Sequence, residues 1–220
     1  MTIEPVAYFR SPLKGKFGVP RQSGLAPGLR GEVRFVAPYD SPDAVRGLEG
    51  FDYCWLIWGF SLNPESGDSL TVRPPRLGGN ERVGVFASRS PFRPNGLGLS
   101  CVKLETVEPG VLHVSGADLA DGTPIYDVKP YVRYADSRPE ARSGFVDGSA
   151  WEPLEVEIPA DLATELGEEG RNALSQLLSL DPRPAYQDDS SRIYGLSFGP
   201  YEVKFKVDGD KVFVLSLEKC

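Results

Sequence analysis

The chain has 220 residues, of which 40% are hydrophobic and 25% charged, with a net charge of −7. This is the profile of a globular protein with one large domain or one domain and a small appendage. Its longest apolar run, residues 54–60, is too short to span a bilayer, and its first residues lack the charged-then-apolar order of a signal peptide. Three scattered cysteines form no CxxC pair, so we expect a reducing, intracellular and cytoplasmic environment.

The charge is distributed unevenly along the chain. Residues 1–104 carry 13 Lys and Arg against 9 Asp and Glu, whereas residues 105–220 carry 11 against 22. A net acidic protein is not expected to bind nucleic acid non-specifically. Residues 73–93 nevertheless hold five arginines and a single acid, Glu81. This stretch fits either a local footprint for a polyanion or a charged rim in contact with water, and composition leaves both open.

The N-terminal half is predicted to be mostly β. Short apolar runs separated by Gly- and Pro-rich turns are typical of a barrel or a sandwich. Ser41-Pro42 predicts the start of a short helix, because serine caps helices well and proline fits the first helical position. Residues 51–62 are apolar on both faces, as in a strand buried between layers or at a subunit contact. The predicted strands are residues 3–9, 32–36, 51–62, 83–87, 97–107 and 111–115.

The C-terminal part is predicted to be a small α+β unit. An acidic, Gly- and Ser-containing stretch predicts a linker or long loop over residues 139–150. Residues 159–180 then show helical spacing of leucines, and Gly167 and Gly170 are expected to divide that helix into two pieces. Residues 201–207 and 211–217 flank Asp-Gly-Asp and predict a hairpin. We therefore expect a β-rich body followed by a small α+β appendage.

Residues 83–100, VGVFASRSPFRPNGLGLS, form the most informative stretch. A polar break carrying Arg89 and Arg93 separates two apolar runs. Its prolines fix φ and Asn95-Gly96 tolerates positive φ, so the break is a shaped turn. Two guanidinium groups on a stiff loop suit an anionic ligand. A surface turn with solvated arginines fits the same residues equally well.

Several common chemistries lack their residues. His113 is the single histidine and sits in a strand-like run, which favours a structural role. One histidine and isolated cysteines argue against a zinc site, and no metal is predicted. The GxSxG match at residues 195–199 has its histidine upstream instead of downstream. Gly96-Leu97-Gly98 lacks the third glycine of a dinucleotide fingerprint, and the sequence contains no GxxxxGK[ST].

The stretch at residues 83–100 resembles the signature of the TrmO/TsaA family of S-adenosylmethionine-dependent tRNA methyltransferases. The resemblance extends over nearly the whole chain, in blocks that follow the family order. These blocks are KFGVPRQSGLAP (16–27), APYDSPDAVRGLEGF (37–51), TVRPPRLGGNERVGVFASRSPFRPN (71–95), LADGTPIYDVKPYVRYADS (119–137) and DPRPAYQ (181–187).

The resemblance implies a β-barrel-like methyl-donor domain over residues 1–138, a smaller C-terminal domain over residues 151–220, and a homodimer. It implies methyl transfer from S-adenosylmethionine to N6 of N6-threonylcarbamoyladenosine at nucleotide 37 of tRNA, chiefly threonine tRNA, with the anticodon loop as the partner. The segment after residue 150 matches the longer, bacterial layout of the family.

The resemblance also assigns donor-binding residues by motif. These are Pro20, Arg21, Gln22, Tyr53, Cys54, Arg89, Leu99, Leu119, Ala120, Asp121 and Gly122. The chain departs from the family pattern at two places. Tyr53 stands where many relatives carry histidine, and Gly96-Leu97 stands where Pro-Ile is usual.

The chemistry of these residues fits a sulfonium donor. Arg21 or Arg89 can pair with the carboxylate of the donor or with an RNA phosphate, and Tyr53 and Leu99 can line an adenine pocket. Backbone carbonyls of residues 119–122 can face the sulfonium. For Leu99 and Leu119, a plain core role is the alternative.

Catalysis and RNA binding give further expectations. Methyl transfer from a sulfonium needs mainly positioning, which supplies about 7–11 kcal/mol. The carbamoylated N6 is weakly nucleophilic, so we hypothesise that Asp121 or Asp127 removes its proton. Phosphate contacts are expected from Arg73, Arg76, Arg82 and Arg93, and aromatic side chains are expected to stack on the unpaired bases of the anticodon loop. Two alternatives stay open: a donor-binding regulatory or scaffold protein without catalysis, and a methyltransferase acting on another substrate.

Overall fold

The computed structural model describes residues 2–63, 69–74, 81–148, 152–183, 187 and 189–220. Its strands and α-helices follow one another along the chain, with short turns of 3₁₀ helix between some of them. They are β1 (Ala7–Arg10), β2 (Arg30–Phe35), β3 (Tyr53–Gly59), β4 (Thr71–Val72), β5 (Val83–Gly84), β6 (Leu97–Glu108), β7 (Val111–Ser115), β8 (Pro124–Pro130), α1 (Arg133–Asp136), β9 (Glu155–Glu157), α2 (Ala160–Ser179), β10 (Tyr194–Phe198), β11 (Tyr201–Asp208) and β12 (Lys211–Lys219).

Six strands of the N-terminal part close into an antiparallel barrel in the order β1-β2-β7-β6-β3-β8, and β8 returns to β1. Alternate side chains of each strand point inward, so Phe9, Val33, Leu56 and Leu112 are fully buried in one core. The sequence-based prediction of a mainly β, barrel-like body is confirmed.

Strand β3 is apolar on both faces, as predicted, but the two faces have different surroundings. Cys54, Leu56 and Trp58 point into the barrel, whereas Tyr53 on the outer face is 43% exposed. Trp55 on the same face is partly covered, by the Tyr131 ring and by a hydrogen bond to Asp136 of α1. Of the two alternatives, burial between layers was therefore wrong for one face of β3, and a subunit contact stays a prediction.

The C-terminal part is a four-stranded sheet with the order β10-β11-β12-β9, covered on one face by α2. Leu174 and Leu177 of α2 pack with Val203 and Phe205 in a second core. The predicted helix and hairpin are confirmed, and Gly167 interrupts the helix with φ 70°. The predicted break at Gly170 was wrong, because that residue keeps helical backbone angles. The α+β appendage is thus present.

A segment of the N-terminal part also enters this second core. Leu13, Ala26 and Leu29 are buried there with the α2 leucines. The Gly28 N–H donates to Gln176 Oε1 of α2 at 2.6 Å, and Gly199 N–H donates to the Pro12 carbonyl at 2.8 Å. Residues 11–29 therefore connect the barrel to the C-terminal sheet.

Three predicted strands are shorter than expected. The strand predicted over residues 51–62 is β3, which covers only Tyr53–Gly59. The first strand of the chain begins at Ala7 and not at residue 3, because Pro5 has no N–H to donate to a ladder. The strand predicted over residues 83–87 ends at Gly84, where it pairs with β4, and Val85–Ala87 form a 3₁₀ turn. The predicted short helix is confirmed as a 3₁₀ helix, Pro42–Val45, with the Ser41 hydroxyl as its cap.

Candidate functional site

The signature loop, residues 85–96, is held by its own hydrogen bonds. The Ser88 hydroxyl donates to the Val85 carbonyl at 3.0 Å, and the Arg93 guanidinium donates to the Ser88 carbonyl at 2.9 Å. Asn95 and Gly96 both adopt positive φ, 66° and 56°. The loop is the shaped turn that the sequence predicted. Proline cannot adopt the positive φ of Gly96, so a chain with Pro at this position needs a different backbone conformation in the turn.

Arg89 joins the signature loop to the segment containing Pro20, Arg21 and Gln22. Its guanidinium donates to Gln22 Oε1 at 2.5 Å. Next to Gln22, the Ser23 hydroxyl accepts the Cys101 N–H at 3.2 Å. Strand β7 pairs with β6 only from Lys103 onward, so this segment lies along the otherwise open edge of the first half of β6. Gln22, Arg89 and Leu99 are thereby brought to one place.

Behind this place, a buried hydrogen-bonded chain reaches into the barrel. Trp58 Nε1 donates to the Ser100 hydroxyl at 2.9 Å, and that hydroxyl donates to Asp118 Oδ1 at 2.5 Å. Burial raises the pKa of Asp118, while the Ser100 hydrogen bond and the Arg89 charge act to lower it. Sequence reasoning missed Asp118. Its signal is a carboxylate directly before the LADG bend in an otherwise apolar, buried stretch.

Leu99 lies on the outer face of the barrel and not in its core. It is 53% exposed and pairs with Ile57, which in turn pairs with Asp127. One row across β6, β3 and β8 thus carries Leu99, Ile57 and Asp127. The Asp127 carboxylate is 2.8 Å from Lys129 Nζ.

Tyr53 shares the outer face with Leu99 but lies farther along β3. It is four positions from Ile57, which corresponds to roughly 13 Å of strand. Its ring meets the Tyr131 ring edge-on, with centroids 6.2 Å apart. Within this chain, Tyr53 and Leu99 therefore belong to the same surface without sharing one small pocket.

Other predicted donor residues are buried. Cys54, Leu119 and Ala120 are buried, so they offer a ligand only their backbone atoms. Burial raises the pKa of Cys54 to about 12, which keeps this thiol protonated and unreactive at neutral pH.

Asp121 and Gly122 form the bend at the end of the barrel. The Asp121 carboxylate accepts the Ser11 N–H at 3.1 Å and lies 3.7 Å from the Arg10 guanidinium. Gly122 has φ 76°, and its N–H donates to the Phe9 carbonyl. Asp118, just before this bend in the chain, lies close enough to Arg89 to feel its charge. The Asp121 side chain instead faces Arg10 of β1 and Ser11.

Pro20 and Arg21 line a cavity of about 350 Å³ between the segment of residues 16–21 and the C-terminal end of α2. Residues 177–182 form the other wall, and Arg21 Nη2 donates to the Asp181 carbonyl at 3.3 Å. Lys16, at the rim, holds its ammonium 5.6 Å from the centre of the Phe92 ring. The cavity and the signature loop are therefore neighbours.

The arginines predicted to contact RNA differ in availability. Arg73 is exposed, and Arg82 is exposed while donating to Thr71 Oγ1 at 3.2 Å. Arg93 instead supports the signature loop through Ser88. Arg76 lies outside the described residues. Among the residues that are described, no group of three or more His, Cys, Asp or Glu could hold a metal ion, and no helix could cross a membrane.

Comparison with known proteins identifies the family. Residues 8–137 match the family model described as the tRNA-methyltransferase O N-terminal domain, and residues 151–220 match the one described as the TrmO C-terminal domain. The chain belongs to the tRNA-methyltransferase O family. The resemblance stated from the sequence blocks is confirmed.

Full-length relatives agree with this membership in the tRNA-methyltransferase O family. The tRNA (adenine(37)-N6)-methyltransferase of Escherichia coli (strain K12) is 39% identical over 226 residues, covering 96% of each chain. The putative S-adenosylmethionine-dependent methyltransferase RcsF of Pseudomonas aeruginosa is 41% identical over 218 residues, 92% of this chain and 90% of that one. The crystal structure of TrmO from Pseudomonas aeruginosa has a TM-score of 0.80 at 34% identity, covering 99% of this chain and 98% of that chain.

Membership confirms the predicted enzyme class, an S-adenosylmethionine-dependent methyltransferase, at the level of the family. The individual residue assignments stay predictions. Of these, the structure brings together Gln22, Arg89 and Leu99, and it adds Asp118 to them.

Proposed function

We propose that this protein transfers the methyl group of S-adenosylmethionine to N6 of N6-threonylcarbamoyladenosine at nucleotide 37 of tRNA, with threonine tRNA preferred. The observation that carries the proposal is the hydrogen bond between Arg89 and Gln22, which unites two family blocks beside Leu99. The name of the E. coli relative supports the tRNA adenine at position 37 as the acceptor. The threonylcarbamoyl group is the finer part of the proposal.

The side chains at this place fit the three parts of the donor. The Arg89 guanidinium suits the carboxylate of its amino-acid end, and exposed Leu99 offers apolar area for the adenine. The Asp118 carboxylate, which accepts a hydrogen bond from Ser100, suits the positively charged sulfonium of the donor electrostatically. When bound, the donor supplies an activated methyl group. The protein contributes orientation, which the Ser88–Arg93 and Trp58–Ser100 hydrogen bonds make rigid.

The acceptor nitrogen needs to lose its proton, and Asp121 and Asp127 remain the candidate bases. Asp127 is in register with Leu99 across Ile57 on the outer face. Asp121 is occupied by Ser11 and Arg10 at the end of the barrel. The Asp127 carboxylate is also paired, with Lys129 Nζ at 2.8 Å, so its register with Leu99 is what favours it over Asp121. Asp127→Asn should lower turnover at unchanged donor affinity, and a wild-type rate would remove it from the mechanism.

The partners follow from the same proposal. Arg73 and Arg82 are the exposed cations for tRNA phosphates, and each neutralised phosphate makes binding more sensitive to salt. We further propose a homodimer in the cytoplasm, where tRNA is the substrate. The partly uncovered outer face of β3 supports self-association.

The test is methyl incorporation from labelled S-adenosylmethionine into threonine tRNA with and without threonylcarbamoyl at position 37. We expect methylation of the modified tRNA alone, and loss of activity and of donor binding in Arg89→Ala. Donor binding without methylation of either tRNA would favour the regulatory alternative. Methylation of a different macromolecule would favour another substrate. Absence of donor binding by calorimetry would overturn the proposal entirely.

A further inference from the structure

Large apolar side chains are exposed beside the arginines of the signature region. Phe86 and Leu70 are each 77% exposed, and Phe92 is 47% exposed. Val85, directly before Phe86, is 2% exposed, so the 3₁₀ turn buries one apolar residue and presents the next to solvent. An exposed phenylalanine next to a buried valine indicates a contact surface.

Hydrogen bonds hold the main chain that carries these rings. The Val85 N–H donates to the Leu70 carbonyl at 3.0 Å, which joins the turn to the β4–β5 hairpin. The Phe92 N–H donates to the Ser90 hydroxyl at 3.2 Å. A preorganised aromatic surface loses little conformational entropy when a partner binds.

The charges around the rings are positive. Exposed Arg73 and Arg82 lie at the β4–β5 hairpin, and the Lys16 ammonium sits 5.6 Å from the centre of the Phe92 ring. In the sequence, Glu81 is the single acid between residues 69 and 100. A twofold contact through this surface would set like charges against each other, whereas a polyanion would be attracted. Aromatic rings between cations match the way proteins hold unpaired nucleotides.

We propose that Phe86 and Phe92 stack on unpaired bases of the anticodon loop, while Arg73, Arg82 and Lys16 contact its phosphates. This inference rests on the proposed function and specifies how the substrate is held. The sequence analysis named four arginines for RNA phosphates and expected aromatics to stack on unpaired bases, without naming the rings. The exposures single out Phe86 and Phe92, because they show which apolar residues of the loop are buried and which are exposed.

The experiment measures affinity for a synthetic anticodon stem-loop of threonine tRNA by fluorescence anisotropy, over a range of salt concentrations. Phe86→Ala and Phe92→Ala should each weaken binding by about 5- to 150-fold, the loss expected for one base–aromatic stack. Phe86→Trp should stay near wild type. The slope of log affinity against log salt should be unchanged in the ring variants and reduced by about 1 in Arg82→Gln.

Matched controls separate this mechanism from others. Leu215→Ala removes an apolar side chain that is 43% exposed on β12 of the C-terminal sheet, and it should leave RNA affinity unchanged. Melting temperature and donor affinity should stay at wild-type values in all the ring variants, since the rings are exposed.

Three results would overturn the inference. Affinities within twofold of wild type in both alanine variants would exclude stacking. A change of oligomeric state in Phe86→Ala, measured by light scattering, would make the rings a self-association surface. An unaltered protein that neither binds nor methylates tRNA would remove the proposed function together with the inference. In contrast, normal tRNA methylation by the unaltered protein with unaffected ring variants would remove stacking alone.

Discussion

Asp118 shows how one residue connects packing to the site. Its carboxylate is buried behind Arg89, where Ser100 is its hydrogen-bond donor. A carboxyl whose pKa is raised by folding contributes stability that is present below its unfolded pKa, about 3.9, and that is lost as pH rises through the raised folded value.

Asp118→Asn keeps an acceptor for Ser100 but removes this titration. The free energy of unfolding of the unaltered protein should therefore fall relative to the variant as pH rises from about 4 to neutrality. Urea unfolding at a series of pH values measures the difference. Parallel curves for the two proteins at every pH would show that Asp118 does not titrate in this range. Glu168→Gln, at an exposed position of the distant helix α2, removes one carboxylate and serves as a control for general effects of altering one charge.

Side-chain identity at the donor surface could be predicted only in part. Arg89, Gln22 and Leu99 belong to motifs that are visible in the sequence, but Arg89 and Gln22 are 67 positions apart and no local pattern predicts their hydrogen bond. Asp118 is missed because its importance comes from Ser100 and Trp58, which lie on two other strands. The motifs therefore predicted candidate site residues, whereas only the tertiary structure shows which of these residues lie close together.

At the scale of elements, alternation predicted the strands whose faces differ clearly. β7 was predicted with its correct bounds, and β6 to within one residue. β8 was missed, because it begins and ends with proline and its pairing with β3 is irregular next to Ile57. The predicted strand at residues 83–87 was mostly a turn, since exposed Phe86 and buried Val85 look alike in an apolar run.

The pairing of β3 with β6 depends on a glycine. Gly98 lies opposite Trp58, and a Cβ at this position would come within 2.4 Å of the indole ring. The indole is fixed by its hydrogen bond to Ser100, so it cannot easily move aside. Gly98→Ala should destabilise the protein by about 1–3 kcal/mol. Gly84→Ala is the matched control: a Cβ there has nothing within 4 Å, and its free energy of unfolding should be equal or slightly higher. Equal denaturation midpoints for the two variants would contradict this packing.

At the scale of the whole molecule, residues 11–29 make the two parts of the chain interdependent. Leu13 is fully buried in the core formed by α2 and the C-terminal sheet, although it follows β1 of the barrel directly in the chain. The Gly28–Gln176 hydrogen bond and the Arg30–Glu169 ion pair at 3.5 Å join the same surfaces. The sequence did not predict that residues 11–29 pack in the C-terminal core, because an apolar pattern shows that a residue is buried but not in which core.

We therefore expect the barrel and the C-terminal domain to unfold in one cooperative transition. In a Trp151→Phe background, fluorescence of Trp55 and Trp58 follows the barrel, and circular dichroism at helix wavelengths follows mainly α2. The two denaturation curves should coincide.

Leu13→Ala should shift both curves by the same amount, about 2–5 kcal/mol, because the cavity lies in the shared core. Leu215→Ala, at a site that is 43% exposed, should shift neither curve by more than about 0.5 kcal/mol. Separate midpoints for the two probes, or a Leu13→Ala shift confined to the helix signal, would mean that the domains unfold independently and that residues 11–29 do not couple them.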